Sequence, residues 1–257
     1  MSNSSWVVRP RPNPQAKLRL FCFPYAGGGT ATYRSWPAGL PDSIELCPIQ
    51  LPGREYRLKE PLYSHPPDLI EALGEALRPY ADIPFALFGH SMGALLAFES
   101  ARLFRREGLP LPLHLIVSGS KAPQIHRLER TYDLPDEEFL KDLRSLNGTP
   151  KEVFDHPELM AMVLPVLRAD FQIVQTYVYS PEPPLNCPIS AFGGLEDMEV
   201  SYEELDAWRE QTVASFSIRM LEGDHFFLRS SQAVLLQMIS RIIDDLVAGL
   251  SRTGSYR

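Results

Sequence analysis

Residues 85–93 read Phe-Ala-Leu-Phe-Gly-His-Ser-Met-Gly and lead into an alanine- and leucine-rich run that ends at Phe104. This order predicts a short buried strand, a tight Gly-x-Ser-x-Gly turn and a helix. The turn would lift the hydroxyl of Ser91 above the end of a sheet, because Gly89 and Gly93 let neighbouring backbone pass close to it. The helix would direct its first N–H groups at a developing negative charge. The segment therefore predicts a nucleophilic serine.

The length and composition of the chain suit one large globular domain. The chain has 257 residues, of which 44% are hydrophobic and 22% charged, which is ordinary for a globular protein with a sizeable core. We expect a single domain over residues 1–257. The net charge of −7 argues against non-specific nucleic-acid binding. No segment has the apolar length of a membrane span, and residues 1–17 lack the apolar stretch of a signal peptide.

Three cysteines lie far apart in the sequence, at Cys22, Cys47 and Cys187. They form no C-x-x-C or other paired spacing, so neither a zinc site nor a disulfide framework is indicated. Cys22 and Cys47 fall in apolar, strand-like segments and are interpreted as buried thiols. Free thiols and the lack of a signal peptide favour a reducing, cytoplasmic location.

Apolar segments alternate with helical patterns, which is typical of a mostly parallel sheet covered by helices. The predicted strands are Leu18–Phe23, Ile44–Gln50, Phe85–Gly89, Leu113–Ser118, Ile189–Gly193 and Phe216–Leu221. The predicted helices of this layered part are Pro66–Tyr80, Met92–Glu107, Tyr202–Glu210 and Ser231–Leu250.

The alternation is interrupted between about residues 121 and 185. This interval has helical patterns at Asp136–Leu146 and Pro157–Tyr179 but no strand pattern. A helical insertion between two strands predicts a lid over a site, with a small structural subdomain as the alternative. Since ligands bind at the carboxyl ends of such strands, the placement favours the lid. Pro165 predicts a break or kink in the second helix.

A nucleophilic serine needs a base, and in α/β-hydrolases the chain order is Ser, then Asp or Glu, then His. His225 lies in Leu-Glu-Gly-Asp-His-Phe-Phe-Leu, between the final strand and the last helix, where a base can reach the serine. His90 should point away from the nucleophile. The remaining histidines that follow Ser91 are expected to have surface or packing roles; they are His114, His126 and His156.

The acid that orients the base is expected just past the preceding strand, in Gly-Leu-Glu-Asp-Met-Glu at residues 194–199. Asp197 is favoured over Glu196 and Glu199, because its short side chain suits a fixed hydrogen bond from a turn. The strand Leu113–Ser118 is followed by no acid, which removes the other common placement. Asp224, beside the histidine, is interpreted as a turn former.

An oxyanion hole needs two backbone N–H donors. One is expected at Met92, the residue after the nucleophile, and the other in the glycine-rich segment that follows the first strand. We assign the second donor to Ala26, with Tyr25 or Gly27 as alternatives. A phosphate-binding loop is not indicated there, because no Lys-Ser/Thr follows the glycines.

Four motifs together resemble one family, the stand-alone type II thioesterases of polyketide synthases and non-ribosomal peptide synthetases. They are Phe-Pro-Tyr-Ala-Gly-Gly at 23–28, Leu-Pro-Gly-Arg-Glu at 51–55, Gly-His-Ser-Met-Gly at 89–93 and Gly-Asp-His-Phe-Phe at 223–227. The resemblance implies an α/β-hydrolase fold, a lid that shapes an acyl pocket, and a triad of Ser91, Asp197 and His225. It also implies hydrolysis of acyl groups stranded on the phosphopantetheine of acyl or peptidyl carrier domains, without a metal or bound cofactor.

Arginines near the second motif have two interpretations. Arg54 and Arg57 could contact an acidic carrier domain or its phosphate, or they could form internal ion pairs. Arg102, Arg105 and Arg106, on the helix after the elbow, are interpreted as a solvated helix face.

Several other functions fit the same fold. The alternatives are a medium-chain acyl-carrier thioesterase, a general carboxylesterase and a chain-terminating thioesterase. One-domain length and a start at Met1 favour a stand-alone enzyme, expected to be a monomer. A binding module without activity is disfavoured, because no triad position is damaged.

Overall fold

The computed structural model describes residues 6–125, 130–146, 148 and 151–253. Within these ranges six parallel strands form one sheet in the order β2-β1-β3-β4-β5-β6. They are β1 (Leu18–Phe23), β2 (Ile44–Pro48), β3 (Phe85–His90), β4 (Leu115–Ser118), β5 (Ile189–Gly194) and β6 (Phe216–Leu221). All six strands were predicted from the sequence. β2 ends before Gln50, because Ile49 instead bridges antiparallel to Val7 near the N-terminus.

Helices connect the strands and cover both faces of the sheet. Those in the described ranges are α1 (Pro66–Leu77), α2 (Met92–Arg106), α3 (Asp136–Ser145), α4 (Lys151–Asp155), α5 (Pro157–Thr176), α6 (Tyr202–Asp206), α7 (Phe227–Ser230) and α8 (Gln232–Thr253). The helix predicted after β5 is divided, since α6 continues as a 3₁₀ helix over Ala207–Gln211. No described helix combines the length and the apolar character needed to cross a bilayer.

Alternate residues of β1 point into two separate cores. Leu18, Leu20 and Cys22 pack in a cluster with Trp36 and residues of α8. Phe21 and Phe23 pack on the opposite face, in a cluster that includes residues of α1 and α2. Because a central parallel strand is buried on both faces, the sheet is a rigid support for the loops at its carboxyl ends.

The predicted insertion between β4 and β5 consists of α3, α4 and α5. Phe139, Leu143 and Leu167 form its own small core. Of the break or kink expected at Pro165, the break is wrong, because α5 is continuous from Pro157 to Thr176. Pro165 and Ala161 are both exposed, so the carbonyl of Ala161 that loses its helical donor can bond to water.

Candidate active site

Ser91 lies at the sharp turn between β3 and α2, as the sequence predicted. Its backbone adopts φ 53° and ψ −116°, and its N–H donates to the carbonyl of Ser118 at 2.8 Å. A Cβ at Gly89 would lie 2.1 Å from the carbonyl oxygen of Gly93, and one at Gly93 would lie 2.2 Å from that of Phe23. The two glycines are therefore required, because α2 and the end of β1 pass directly against the turn.

Asp197 and His225 are brought together from the loops after β5 and β6. The Nδ1 atom of His225 lies 2.9 Å from Oδ2 of Asp197. The other carboxylate oxygen of Asp197 accepts the N–H groups of Glu199 at 2.8 Å and Val200 at 3.2 Å. The Asp197 side chain is fully buried and the His225 side chain is 12% exposed. The carboxylate is thus held from two sides, with one oxygen directed at the imidazole.

The backbones of these two loops are in direct contact. A Cβ at Gly194 would lie 2.5 Å from the carbonyl oxygens of Gly223 and Asp224. The loop that carries His225 therefore crosses the loop that carries Asp197 at a position where only glycine fits. Asp224 accepts the N–H of Phe226 at 2.8 Å, which is the turn-forming role expected of it. Glu196, the acid considered beside Asp197, is exposed to solvent.

His90 lies directly beside His225, with ring centroids 5.3 Å apart. His90 is fully buried, and its Nδ1 lies 2.9 Å from the hydroxyl of Ser118. Burial lowers the pKa of His90 well below its usual value, so this ring is neutral near pH 7. Since His90 is the residue before Ser91, this contact places the ring of His225 beside the turn between β3 and α2. His126 lies outside the described residues.

The two predicted oxyanion donors lie at the ends of β1 and β3. Within the described part of the chain, the N–H groups of Ala26 and Met92 have no hydrogen-bond partner. The N–H of Gly27, considered as an alternative, donates to Oδ2 of Asp170 at 2.7 Å and is therefore occupied. The first turn of α2 carries no acidic side chain, so its positive end is not neutralised locally.

Arg54 and Arg57, predicted as possible carrier contacts, are buried in internal ion pairs. Arg54 is 8% exposed and forms a two-pronged pair with Asp170 of α5, at 2.6 and 2.8 Å. Arg57 is 5% exposed, pairs with Glu60, and lies 4.2 Å from the ring centre of Trp6. Neither guanidinium is available to a partner, so the structure replaces the carrier-contact hypothesis with the alternative of internal pairs.

Glu55, the last residue of the Leu-Pro-Gly-Arg-Glu motif, received no role from the sequence and binds the glycine-rich loop after β1. Its carboxylate accepts the backbone N–H groups of Thr30 and Ala31, each at 3.0 Å, and the Thr30 hydroxyl at 2.6 Å. A Cβ at Gly29 would lie 2.5 Å from this carboxylate. The Leu-Pro-Gly-Arg-Glu motif thus holds the loop that carries Ala26 in place through hydrogen bonds.

The solvated face expected for the arginines of α2 holds for Arg106, which is exposed, whereas Arg105 is half-buried and Arg102 is buried. Arg102 is 3% exposed, pairs with Glu99 at 2.6 Å, and donates to the carbonyl of Ser180. Glu182 accepts from Arg102, Arg105 and Arg106 at 2.6–2.8 Å. The segment that returns from the insertion packs on this side of α2, which is why the arginines are engaged.

A cavity of about 180 Å³ lies between α2, the loop after β4 and the end of α5. Its apolar lining includes Leu95, one turn along α2 from Ser91, together with Ile125 and Val174. In the described residues no three His, Cys, Asp or Glu side chains are grouped so that they could hold a metal ion.

Comparisons with known proteins agree on one family. The thioesterase domain family matches residues 18–246. The gramicidin S biosynthesis protein GrsT of Aneurinibacillus migulanus is 47% identical over 239 residues, covering 93% of each chain. The thioesterase RedJ of the Streptomyces coelicolor prodiginine pathway superposes with a TM-score of 0.83 at 40% identity, covering 90% of this chain and 91% of RedJ. The type II thioesterase BorB of the borrelidin cluster superposes with a TM-score of 0.82 at 36% identity, covering 94% of this chain and 97% of BorB.

Proposed function

The chain belongs to the thioesterase family and is an α/β-hydrolase enzyme acting on thioesters, and from this premise we propose its substrate and its catalytic residues. The substrate is an aberrant or stalled acyl group on the phosphopantetheine arm of an acyl or peptidyl carrier domain. The names of GrsT, RedJ and BorB, which refer to gramicidin S biosynthesis, the prodiginine pathway and the borrelidin cluster, support this choice. We further propose that the enzyme works in the cytoplasm as a monomer.

Ser91, His225 and Asp197 carry the proposed reaction. His225 accepts the hydroxyl proton of Ser91 as its oxygen attacks the thioester carbonyl. Asp197 holds Nδ1–H of His225, which leaves Nε2 as the base and stabilises the imidazolium that forms. The N–H groups of Met92 and Ala26 bind the oxyanion of the tetrahedral intermediate. The contact between His225 and Asp197, beside the elbow, carries this assignment.

The intermediate collapses by breaking its carbon–sulfur bond. His225 returns the proton to the departing pantetheine sulfur, which leaves an acyl ester on Ser91. A water molecule, deprotonated by the same imidazole, then attacks the ester, and the proton returns to the oxygen of Ser91 as the free acid leaves. Side chains, amides and water suffice for both halves of this route, which uses no metal or bound cofactor.

The helical insertion is proposed to act as the lid of the site. Its α5 lines the cavity near Leu95, and it contacts the loop that carries Ala26 through Asp170. We assign the cavity to the acyl chain, because it adjoins α2 one turn from Ser91, and Leu95, Ile125 and Val174 form apolar walls beside the polar Lys121 and Gln124.

The decisive experiment compares hydrolysis of the same acyl groups on a carrier domain and on a free pantetheine analogue. Acetyl, propionyl and longer acyl groups are used, with wild-type protein and Ser91→Ala. We expect faster and broad cleavage on the carrier, and loss of activity by at least about 10³-fold in Ser91→Ala. Ser251→Ala, at an exposed position near the end of α8, is the matched control and should retain activity.

Two results would contradict the proposal. Equal or faster cleavage of free oxygen esters, with no advantage on the carrier, would indicate a general carboxylesterase. Preference for medium-length chains on a fatty-acid carrier, with slow removal of acetyl and propionyl groups, would indicate a chain-releasing enzyme.

A further inference from the structure

We infer that Asp170 and Arg54 are positioning residues that hold the loop carrying the Ala26 amide, and so make the oxyanion hole depend on the seating of α5. The inference rests on the proposed function, in which that amide binds the oxyanion. Its elements come from three separate parts of the chain: the lid helix, the segment after β2 and the loop after β1.

Asp170 is a buried carboxylate on the apolar side of the lid helix. It is 2% exposed and lies on the same face of α5 as Val166, Leu167 and Ile173, which are also buried. Its Oδ2 accepts the N–H of Gly27 at 2.7 Å and Nη1 of Arg54 at 2.6 Å. Its Oδ1 accepts Nη2 of Arg54 at 2.8 Å. All its described partners therefore belong to the loop after β1, which carries Ala26, or to the Leu-Pro-Gly-Arg-Glu motif that binds this loop.

Arg54 completes the hold on the same stretch of backbone. Its Nη1 also donates to the carbonyl of Gly28 at 3.2 Å. Gly27 has φ +76°, and a Cβ there would lie 2.5 Å from the side chain of Leu167 on α5. Three groups from other elements thus restrain this stretch of backbone. Asp170 binds the N–H of Gly27, Arg54 binds the carbonyl of Gly28, and Leu167 packs against Gly27.

This arrangement bears on catalysis because Gly27 directly follows Ala26. Fixing the peptide between Ala26 and Gly27 restrains the backbone of Ala26, and with it the direction of the Ala26 N–H. An error of about 1 Å in such a group costs up to about 10²-fold in rate. A buried ion pair adds little net stability over apolar residues of similar volume, so stability alone does not account for it.

Seating of the lid and formation of the oxyanion hole are consequently one event. When α5 lies against the sheet, Asp170 supplies the acceptor that orients the loop. When α5 moves away, Gly27 loses its acceptor and Arg54 loses its counter-charge. The enzyme would therefore complete its oxyanion hole only under a closed lid.

The test compares Asp170→Ala with a matched control, Asp136→Asn. The control breaks another ion pair of α5, between Arg168 and Asp136, and neither of these residues bonds to the loop that carries Ala26. For each protein we would measure kcat and KM on an acyl thioester of a small thiol, the rate of labelling by a fluorophosphonate, and Tm. We expect Asp170→Ala to lower kcat and the labelling rate by about 10–100-fold, with KM changed by less than about threefold. The control should keep both rates.

A second variant separates positioning from folding. The pair Arg54→Met with Asp170→Leu replaces the buried charges by apolar groups, which preserves stability at such sites, but gives Gly27 no acceptor. Recovery of Tm with kcat still low supports the inference, whereas recovery of both overturns it. A wild-type protein that is labelled by the fluorophosphonate but hydrolyses no thioester would contradict the proposed function, and the labelling rates of the variants would still decide the positioning role.

Discussion

Ser91 holds a backbone conformation that few L-residues adopt. Its φ is positive, at 53°, and among the described residues other than glycine only Glu55 also has a positive φ, at 49°. Such a conformation costs about 1–3 kcal/mol and persists where the surrounding structure enforces it. Here the close approach at Gly89 and Gly93 and the burial of α2 supply the enforcement. At the residue scale, the fold therefore tolerates a destabilising backbone conformation that exposes the hydroxyl of Ser91.

The Asp197 carboxylate should be far more important for rate than for folding. Asp197→Asn keeps the size of the side chain but can hold His225 in the wrong tautomer, so we expect kcat to fall by about 10³–10⁴-fold. Steady-state kinetics on an acyl thioester provide the measurement. Glu196→Gln, one residue earlier in the same loop, is the control and should stay near wild type. A similar loss in both variants would show that the loop, and not the Asp197 carboxylate, matters.

The contact between Asp197 and His225 could be predicted from sequence, because each residue follows a strand that is recognisable by itself. Parallel strands place their carboxyl ends at one edge of the sheet, so the loops after β5 and β6 were expected to meet there, on the same edge as the turn that carries Ser91. The pair of Arg54 and Asp170 could not be predicted, since 116 positions separate its members and no local pattern joins them. The one available signal was a carboxylate on the apolar face of a helix, at Asp170.

At the scale of elements, α2 anchors the far end of the insertion. Glu182 accepts from three arginines of α2, and one of them, Arg102, is almost fully buried. The sequence suggested a solvated helix face instead, because its periodicity cannot show which chain segment will lie across a helix. Likewise the sequence suggested a break or kink at Pro165, where α5 continues without interruption.

Glu182→Gln should loosen this anchor. Removing the charge that faces three arginines is expected to destabilise the fold by about 1–3 kcal/mol, since hydrogen bonds to charged groups are lost. Thermal unfolding measures the effect as a drop in Tm of several degrees. Glu107→Gln, which breaks an exposed pair with Arg78, is the control and should cost at most about 1 kcal/mol. Equal shifts in the two variants would argue against an anchoring role.

The cavity beneath α5 makes a prediction about chain length. Val174→Phe adds volume to its lining and should exclude longer acyl chains while acetyl still fits. We expect kcat/KM for a six-carbon acyl thioester to fall by about 10-fold or more relative to acetyl. Competition between the two substrates measures the ratio directly. An unchanged ratio would mean that the acyl chain lies elsewhere.

At the scale of the whole molecule, the buried His90 and the half-buried His114 make stability depend on pH. Burial lowers the pKa of His114 from 6.5 to about 4, and its Nε2 lies 2.9 Å from the hydroxyl of Ser190. Burial also holds the pKa of His90 far below its usual value. On acidification below pH 6.5 the unfolded chain takes up protons that the folded chain does not, so stability falls with falling pH.

His114→Gln should flatten that dependence. The variant removes one of the groups that bind a proton only after unfolding, so its Tm should fall less steeply between about pH 6.5 and pH 4. Thermal unfolding across this pH range is the measurement. His156→Gln, at an exposed position, should keep the wild-type slope. A steep slope retained in His114→Gln would show that other groups govern the acid response.

The burial of the three cysteines protects the enzyme from reacting with the thiol that it is proposed to release. Cys22, Cys47 and Cys187 are at most 1% exposed, and burial raises the pKa of Cys47 and Cys187 to about 12 and that of Cys22 well above its usual value. The proposed reaction liberates a free thiol at every turnover, yet these side chains offer no thiolate for mixed disulfides with it. A chromogenic disulfide reagent should therefore detect no fast-reacting thiol in the native protein and three after denaturation. The same reagent could then follow released pantetheine continuously, without a background from the catalyst.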